Sequence, residues 1–239
     1  MRGEHYSTKM NVFPLFSSVS SFAFSGALFS RYFRKRSSYL LIWGVAMLLY
    51  GVATGVEFVG NPELLGVELT TYRIYYISAG TLVGLLGAGQ VYLVAPKRVA
   101  LSYLAFTLAL VALLASFGST ATLADPDAFD EAFTGDYGNA FRAAAKAFPA
   151  TARVPSIILN SVGGTVLIAG ALWSFVHDRT RFHALLIATG GTLPYFAGSL
   201  GVLNMELEFT GILCLLAGYM LGVRWSRARG RQSTDTKVE

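Results

Sequence analysis

A chain of 239 residues with 54% hydrophobic and only 14% charged side chains is too apolar for an ordinary soluble domain, in which about a quarter of residues are charged. A mean hydropathy of +0.51 agrees. The single cysteine, Cys214, excludes an intramolecular disulfide and any cysteine-cluster metal site.

Seven apolar runs follow one another, at residues 12–32, 39–59, 69–95, 99–118, 156–176, 184–203 and 207–225. About 20 helical residues match a hydrocarbon core about 30 Å thick. A backbone in lipid must satisfy its own hydrogen bonds, which leaves helices or a closed barrel. The runs lack the two-residue alternation of barrel strands. The expected fold is all-α: a seven-transmembrane-helix bundle over residues 1–225, with a basic tail at 226–239 expected to be disordered.

Arg2 and Lys9 before the first run resemble the basic start of a signal peptide. The cations directly after it, Arg31, Arg34, Lys35 and Arg36, form a stop-transfer pattern, so a retained helix is expected. In the second run Glu57 lies one turn from the end; in the third, Arg73 lies one turn from the start, flanked by Tyr72, Tyr75 and Tyr76. Gln90, near the far end of the third run, is expected to hydrogen-bond between helices.

Residues 119–155 are too long for a hairpin connection. Asp125 followed by Pro126 is a helix start, with aspartate as cap and proline in the first turn. Phe129 and Phe133 are four apart, as are Tyr137 and Phe141, and Phe148 follows seven further on. This spacing predicts one or two short amphipathic helices, broken near Gly135, that either cap a cavity or rest on lipid.

Asn160 stands in the fifth run at the level of Glu57 and Arg73. In the sixth, Pro194 removes the bond to the carbonyl of Gly190 and predicts a bend, fixed or hinged. A tight turn at Asn204 joins the last two runs, with Glu206 and Glu208 beside it.

The loops set the orientation. Thirteen of the 19 Lys and Arg residues fall in the connectors after the first, third and fifth runs and in the tail, for a net charge of +10 there against −5 on the other side. Basic loops stay in the cytoplasm, so the N-terminus is expected outside and the C-terminus inside the cell membrane. The pI near 9.4 then reflects topology and contact with lipid headgroups, not nucleic acid.

A faint duplication runs through the chain. Gly26–Ala27–Leu28–Phe29–Ser30 matches Gly170–Ala171–Leu172–Trp173–Ser174, Leu40–Leu41–Ile42 matches Leu185–Leu186–Ile187, and Gly80 and Gly87 keep the spacing of Gly211 and Gly218. The first three and last three runs read as two parallel copies joined by the fourth. Small residues four apart, at Gly51/Gly55, Gly80/Gly84, Ala197/Gly201 and Gly218/Gly222, predict close helix packing within the molecule.

Charges inside a membrane are functional candidates by default. Glu57, Arg73, Tyr76, Asn160, Asn204 and Glu208 are therefore expected to form a polar cluster at the outer mouth, with Arg73 as central cation. The alternatives are a ligand site, a structural Arg–Glu tie, or interfacial exposure. His5, His177 and His183 lie outside the runs, as do all five lysines, and no hydrolase, phosphate-loop or zinc motif occurs. No metal or cofactor is expected, and a retinal Schiff base lacks its lysine.

The stretch 43–98, WGVAMLLYGVATGVEFVG followed by YRIYYISAGTLVGLLGAGQVYLVAPKRVA, resembles a group of uncharacterised seven-helix prokaryotic membrane proteins with no assigned activity. By arrangement alone, three helices, a linker and three more resemble the SWEET sugar transporters, and the helix number resembles microbial rhodopsins. The proline pattern of the former and the lysine of the latter are missing. Fold analogy does not carry function. Two functions stay open: a small-solute transporter or channel with a path between the two three-helix copies, or a non-enzymatic sensor or partner-binding subunit holding a lipid-like or small-molecule ligand. An intramembrane enzyme using Glu57, Glu206 or Glu208 ranks below both, because no paired acid and nucleophile is present. Membrane lipids and a small molecule or ion are the expected partners; oligomeric state is left open.

Overall fold

The computed structural model describes residues 12–61, 64–134, 137–200 and 204–235, with backbone alone for 137–139, 195–200, 204 and 226–235. Every regular element among them is helical: α1 (Phe13–Lys35), α2 (Ser38–Val59), α3 (Leu69–Val94), α4 (Lys97–Thr120), α5 (Pro126–Ala132), α6 (Tyr137–Ala144), α7 (Ala150–His177), α8 (Phe182–Leu200) and α9 (Asn204–Asp235), with a 3-10 turn at Ala145–Ala147. Among the described residues six helices, α1 to α4, α7 and α9, are long and apolar enough to cross a membrane. The sixth expected run is α8, whose side chains are described only as far as Pro194.

Local chemistry explains the helix ends. Pro14 occupies the first turn of α1, where its missing N–H costs nothing. The same helix stops at Arg36, whose φ of 53° is left-handed and whose N–H closes on the Tyr32 carbonyl at 2.7 Å. Asp125 caps α5 as expected, accepting from the Ala128 N–H at 3.0 Å. At the other end of the chain α9 continues to Asp235. The segment after Trp225, expected to be disordered, is thus helical backbone through 235, because no proline interrupts a sequence of helix-tolerant arginines.

Six helices close into a ring. α1 packs on α2, α2 on α3, α3 on α7, α7 on α8, α8 on α9, and α9 returns to α1; α4 lies outside, across α3 and α7. Only one stripe of α4 is buried, Ala100, Thr107, Leu114 and Gly118. Leu101, Phe106, Leu108 and Leu113 face outward, which suits a lipid-facing helix.

Close approach replaces the hydrophobic force that lipid does not supply. On α1 two of the buried serines face α2: Ser18 and Ser25 donate to the carbonyls of Gly51 and Gly44, both at 2.8 Å. Between α3 and α7 the backbones touch: a Cβ on Gly87 would sit 2.8 Å from the Cα of Gly163. The pairs Gly51/Gly55, Gly80/Gly84 and Gly218/Gly222 all meet other helices of the same molecule, as their spacing predicts. The Ala197/Gly201 pair lies outside the described side chains.

Candidate functional site

The ring has two chemically different ends. At one, α5, α6 and the 3-10 turn fold over the helix ends; at the other lie Arg31, Arg34, Lys35 and Arg36, Lys97 and Arg98, and Arg179 and Arg181. We call them the lid end and the basic end.

The lid is held by aromatic packing. Phe129, Phe141 and Phe148 are buried together with Tyr72 and Tyr76. Phe141 lies 4.6 Å from the Tyr75 ring and Phe148 4.8 Å from the Tyr76 ring, centre to centre. Two tyrosine hydroxyls of α3 finish the attachment: Tyr72 donates to the Phe141 carbonyl at 2.7 Å and Tyr76 to the Ala152 carbonyl at 3.2 Å. Of the two expectations for residues 119–155, capping a cavity is the one the structure adopts. Their phenylalanines face inward onto the tyrosines that flank Arg73 in sequence.

Beneath the lid is a cavity of about 430 Å³, within the roughly 300–1,000 Å³ of small-molecule sites. Glu57 from α2, Tyr76 from α3, Asn160 from α7, Pro194 from α8 and Glu208 from α9 all line it. Five positions predicted from separate runs therefore meet at one place. Glu57 is only 6% exposed and lies within electrostatic reach of Glu208. Asn160 turns its amide back to the Ser156 carbonyl at 2.9 Å. Asn204 falls outside the described side chains.

Arg73 is the exception. It does not line the cavity; its guanidinium donates to the Ala121 carbonyl at 2.7 Å. Ala121 is the C-cap of α4, where unsatisfied carbonyls and the negative end of the helix dipole attract a cation. The cavity's cation is instead Arg142, on α6, with Nη2 3.7 Å from a carboxylate oxygen of Glu208. Sequence reasoning missed Arg142, and it missed Tyr50 and Tyr75 as cavity residues. The available signal was the adjacency of Arg142 to Phe141: a buried lid phenylalanine carries its neighbour towards the site.

Pro194 packs its ring on Gly211, and the Gly190 carbonyl it releases lies against Gly211 as well. The kinked part of α8 thus packs directly on the α9 backbone, and a larger residue at 211 would collide with it.

A second cavity, of about 280 Å³, opens at the basic end of the same ring. Arg31 and Arg181 stand at it, each over an aromatic ring, Tyr219 at 5.6 Å and Trp225 at 5.3 Å. Gln90 lines this cavity with its Oε1 buried and unbonded. The expected hydrogen bond between helices is not made by that oxygen; the side chain packs on the Cα of Gly170.

Apolar side chains separate the two cavities. Met47, Leu86, Leu167, Ile212 and Leu215 are buried in one core cluster between the residues that line one cavity and those that line the other. On α7 the linings are three residues apart, Ile168 to Ala171, or about 4.5 Å of rise. On α2 and α3 they are seven apart, Tyr50 to Trp43 and Val83 to Gln90, about 10 Å. The barrier is thinnest beside α7 and α8.

Comparison of the chain with protein-family models, curated proteins and solved structures returned no match. The site's own geometry is therefore the basis for function.

Proposed function

We propose that this chain is a multi-pass cell-membrane protein that carries a small solute between its two three-helix halves, exposing the lid-end and basic-end cavities in turn. α8 is the seventh span, the lid end is extracellular, and the basic end faces the cytoplasm, as the distribution of cations favours. One observation carries the reading: two cavities enter the same helix ring from opposite ends and stop at an apolar barrier one to three helical turns thick. An open channel would need no such barrier. A carrier needs one thin enough for small helix movements to shift.

The order of helices in the ring accommodates the two halves. Within the ring, exchanging α1, α2 and α3 with α7, α8 and α9 keeps the neighbour relations, as in any closed ring of six consecutive helices, whereas α4 packs on α3 and α7 without a counterpart on α9 and α1. The two seams between halves run parallel: Gly80, Gly84 and Gly87 meet Ser156, Leu159 and Gly163 in rising order, while Phe13 and Phe24 meet Phe209 and Tyr219. That is the arrangement expected of a duplication related by an axis along the membrane normal. Halves that rock about these seams would open one cavity as they close the other.

The test is uptake by proteoliposomes holding the purified chain, across a panel of amines, sugars, carboxylates and inorganic ions. Saturable uptake of at least one solute is expected, reduced by Pro194→Ala at unchanged protein level. Binding without uptake of any solute would contradict carriage and favour the sensor reading.

A further inference from the structure

We infer that the basic-end cavity binds a singly charged organic oxyanion, a carboxylate or phosphodiester on an apolar body, with Arg31 as its counter-charge and Gln90 and Tyr219 as the polar groups beside it. The inference deepens the carrier reading, on which it rests for the cavity's cytoplasmic face, and concerns binding whether or not the ligand is carried across. It begins with charge. The lining holds two guanidiniums, Arg31 and Arg181, and an imidazole, His183, but no carboxylate among the described residues. A guanidinium keeps its proton at any ordinary pH, so neither charge is relieved by titration. Arg181 is matched: its Nε lies 3.2 Å from a carboxylate oxygen of Asp178, and its Nη1 donates to the Ser174 hydroxyl at 3.3 Å. Arg31 makes no ion pair among the described residues; it stands over the Tyr219 ring at 5.6 Å. Arg34, Lys35 and Arg36, at the end of the same helix, are exposed, whereas Arg31 is half-buried. The exposed cations already meet the charge rule for a cytoplasmic loop. A further one turned into a cavity is not something that rule requires.

Depth and lining narrow the ligand. Tyr219 and Trp225, the rings under Arg31 and Arg181, are six residues apart on α9, about 9 Å of rise. Arg31 is therefore the inner cation, and the pair of Arg181 with Asp178 stands nearer the mouth. One positive charge balances one negative, whereas a doubly charged phosphate would leave an excess in an apolar interior. At the inner level Gln90 is 3% exposed with its Oε1 buried and unbonded, and the Tyr219 hydroxyl is buried and unbonded as well. Orphaned polar groups in a cavity wall are costly unless a ligand or water meets them. The Gln90 amide and the Tyr219 hydroxyl both carry donors that an oxyanion accepts. Much of the remaining wall is apolar. Trp43 commits its ring N–H to the Leu86 carbonyl at 3.0 Å, so it offers ring surface, with Leu93, Val94 and Ile187 beside it. A cavity of about 280 Å³, at the small end of organic-ligand sites, suits a one-ring body better than a bare inorganic ion.

Equilibrium dialysis on the full chain in phosphatidylcholine nanodiscs, with empty discs subtracted, decides the matter. Benzoate is the probe, and benzamide, in which an amide replaces the carboxylate, is the uncharged competitor. Benzoate is expected to bind saturably, and benzamide to displace it at least about tenfold less well. Arg31→Gln is expected to weaken benzoate by about tenfold or more, and Arg34→Gln, which removes an exposed cation of the same helix, to leave it within about twofold. No saturable binding overturns the inference, as do equal displacement by benzamide and unchanged affinity in Arg31→Gln. Should Arg31→Gln not fold, the benzamide comparison decides together with Gln90→Leu, which is expected to weaken benzoate. Phosphatidylglycerol added to the discs displaces benzoate if the natural oxyanion is a lipid phosphodiester, and leaves it bound if it is a soluble carboxylate. Benzoate bound but never taken up by proteoliposomes, with no other solute taken up, sinks carriage and leaves this inference standing; uptake of another solute by a chain that ignores benzoate does the reverse.

Discussion

Arg73 and Arg142 show what a residue's place in the sequence can and cannot reveal. Both are cations on the lid side, and Arg73 is the one inside an apolar run, so intramembrane charge singles it out. One arm of its guanidinium is committed to the Ala121 carbonyl, and its Nε is buried without a partner. Arg142 sits in a short amphipathic helix whose polar face reads as solvated, yet it reaches Glu208. Which side of α3 a guanidinium leaves from depends on where α4 ends, and periodicity within one run does not contain that. The two arginines should behave oppositely on mutation. Arg73→Ala is expected to cost about 1.5–3 kcal/mol, the worth of a hydrogen bond from a charged donor, read as a lower unfolding midpoint in detergent, with transport per folded molecule unchanged. Arg142→Ala removes a half-exposed pair worth under about 1 kcal/mol and is expected to alter solute affinity instead. A transport loss confined to Arg73→Ala would reverse these assignments.

At the scale of the elements, small residues and aromatic rings decide where helices meet. Gly163 and Gly26 both occupy helix interiors, but only Gly163 is pressed against another backbone. A Cβ there would lie 2.5 Å from the Val83 carbonyl oxygen, whereas one on Gly26 would meet nothing within 4 Å. Gly163→Ala is expected to cost about 1–3 kcal/mol by overpacking, and Gly26→Ala to stay within about 0.5 kcal/mol, both measured by denaturant unfolding in micelles. Equal effects would mean that α3 and α7 are not in backbone contact. The lid makes a separate claim. Phe141 is 2% exposed among Tyr72, Tyr75 and Phe133, so Phe141→Ala should release it. Limited proteolysis is expected to cut within residues 119–149 well before the spans; cutting no faster than in the parent chain would mean that other contacts hold the lid. Spacing of apolar and turn residues made the lid helices legible from sequence. Their docking was not legible, because the rings they meet lie on α3, more than 50 residues earlier in the chain.

For the whole molecule, the apolar runs and the cation-rich connectors carry the architecture, since lipid imposes length and helicity on any segment that crosses it. Glu57, Asn160 and Glu208 could be placed near one level by counting residues from the run ends, and the cavity brings them together with Pro194, which the sequence places mid-way along its run. The basic-end cavity was not foreseen: its lining mixes Trp43, Gln90 and Gly218 with Arg31 near the end of α1 and Arg181 between α7 and α8, none unusual in its own place. The central claim is that these cavities open to opposite faces of one membrane, with an apolar barrier between them. Single cysteines at Asn160 and Gln90, placed in a chain carrying Cys214→Ser, test it with a membrane-impermeant thiol reagent applied to intact cells and to inverted vesicles. The account predicts that Asn160→Cys is labelled from outside the cell and Gln90→Cys from the cytoplasmic side. Labelling of both positions from one side would contradict it.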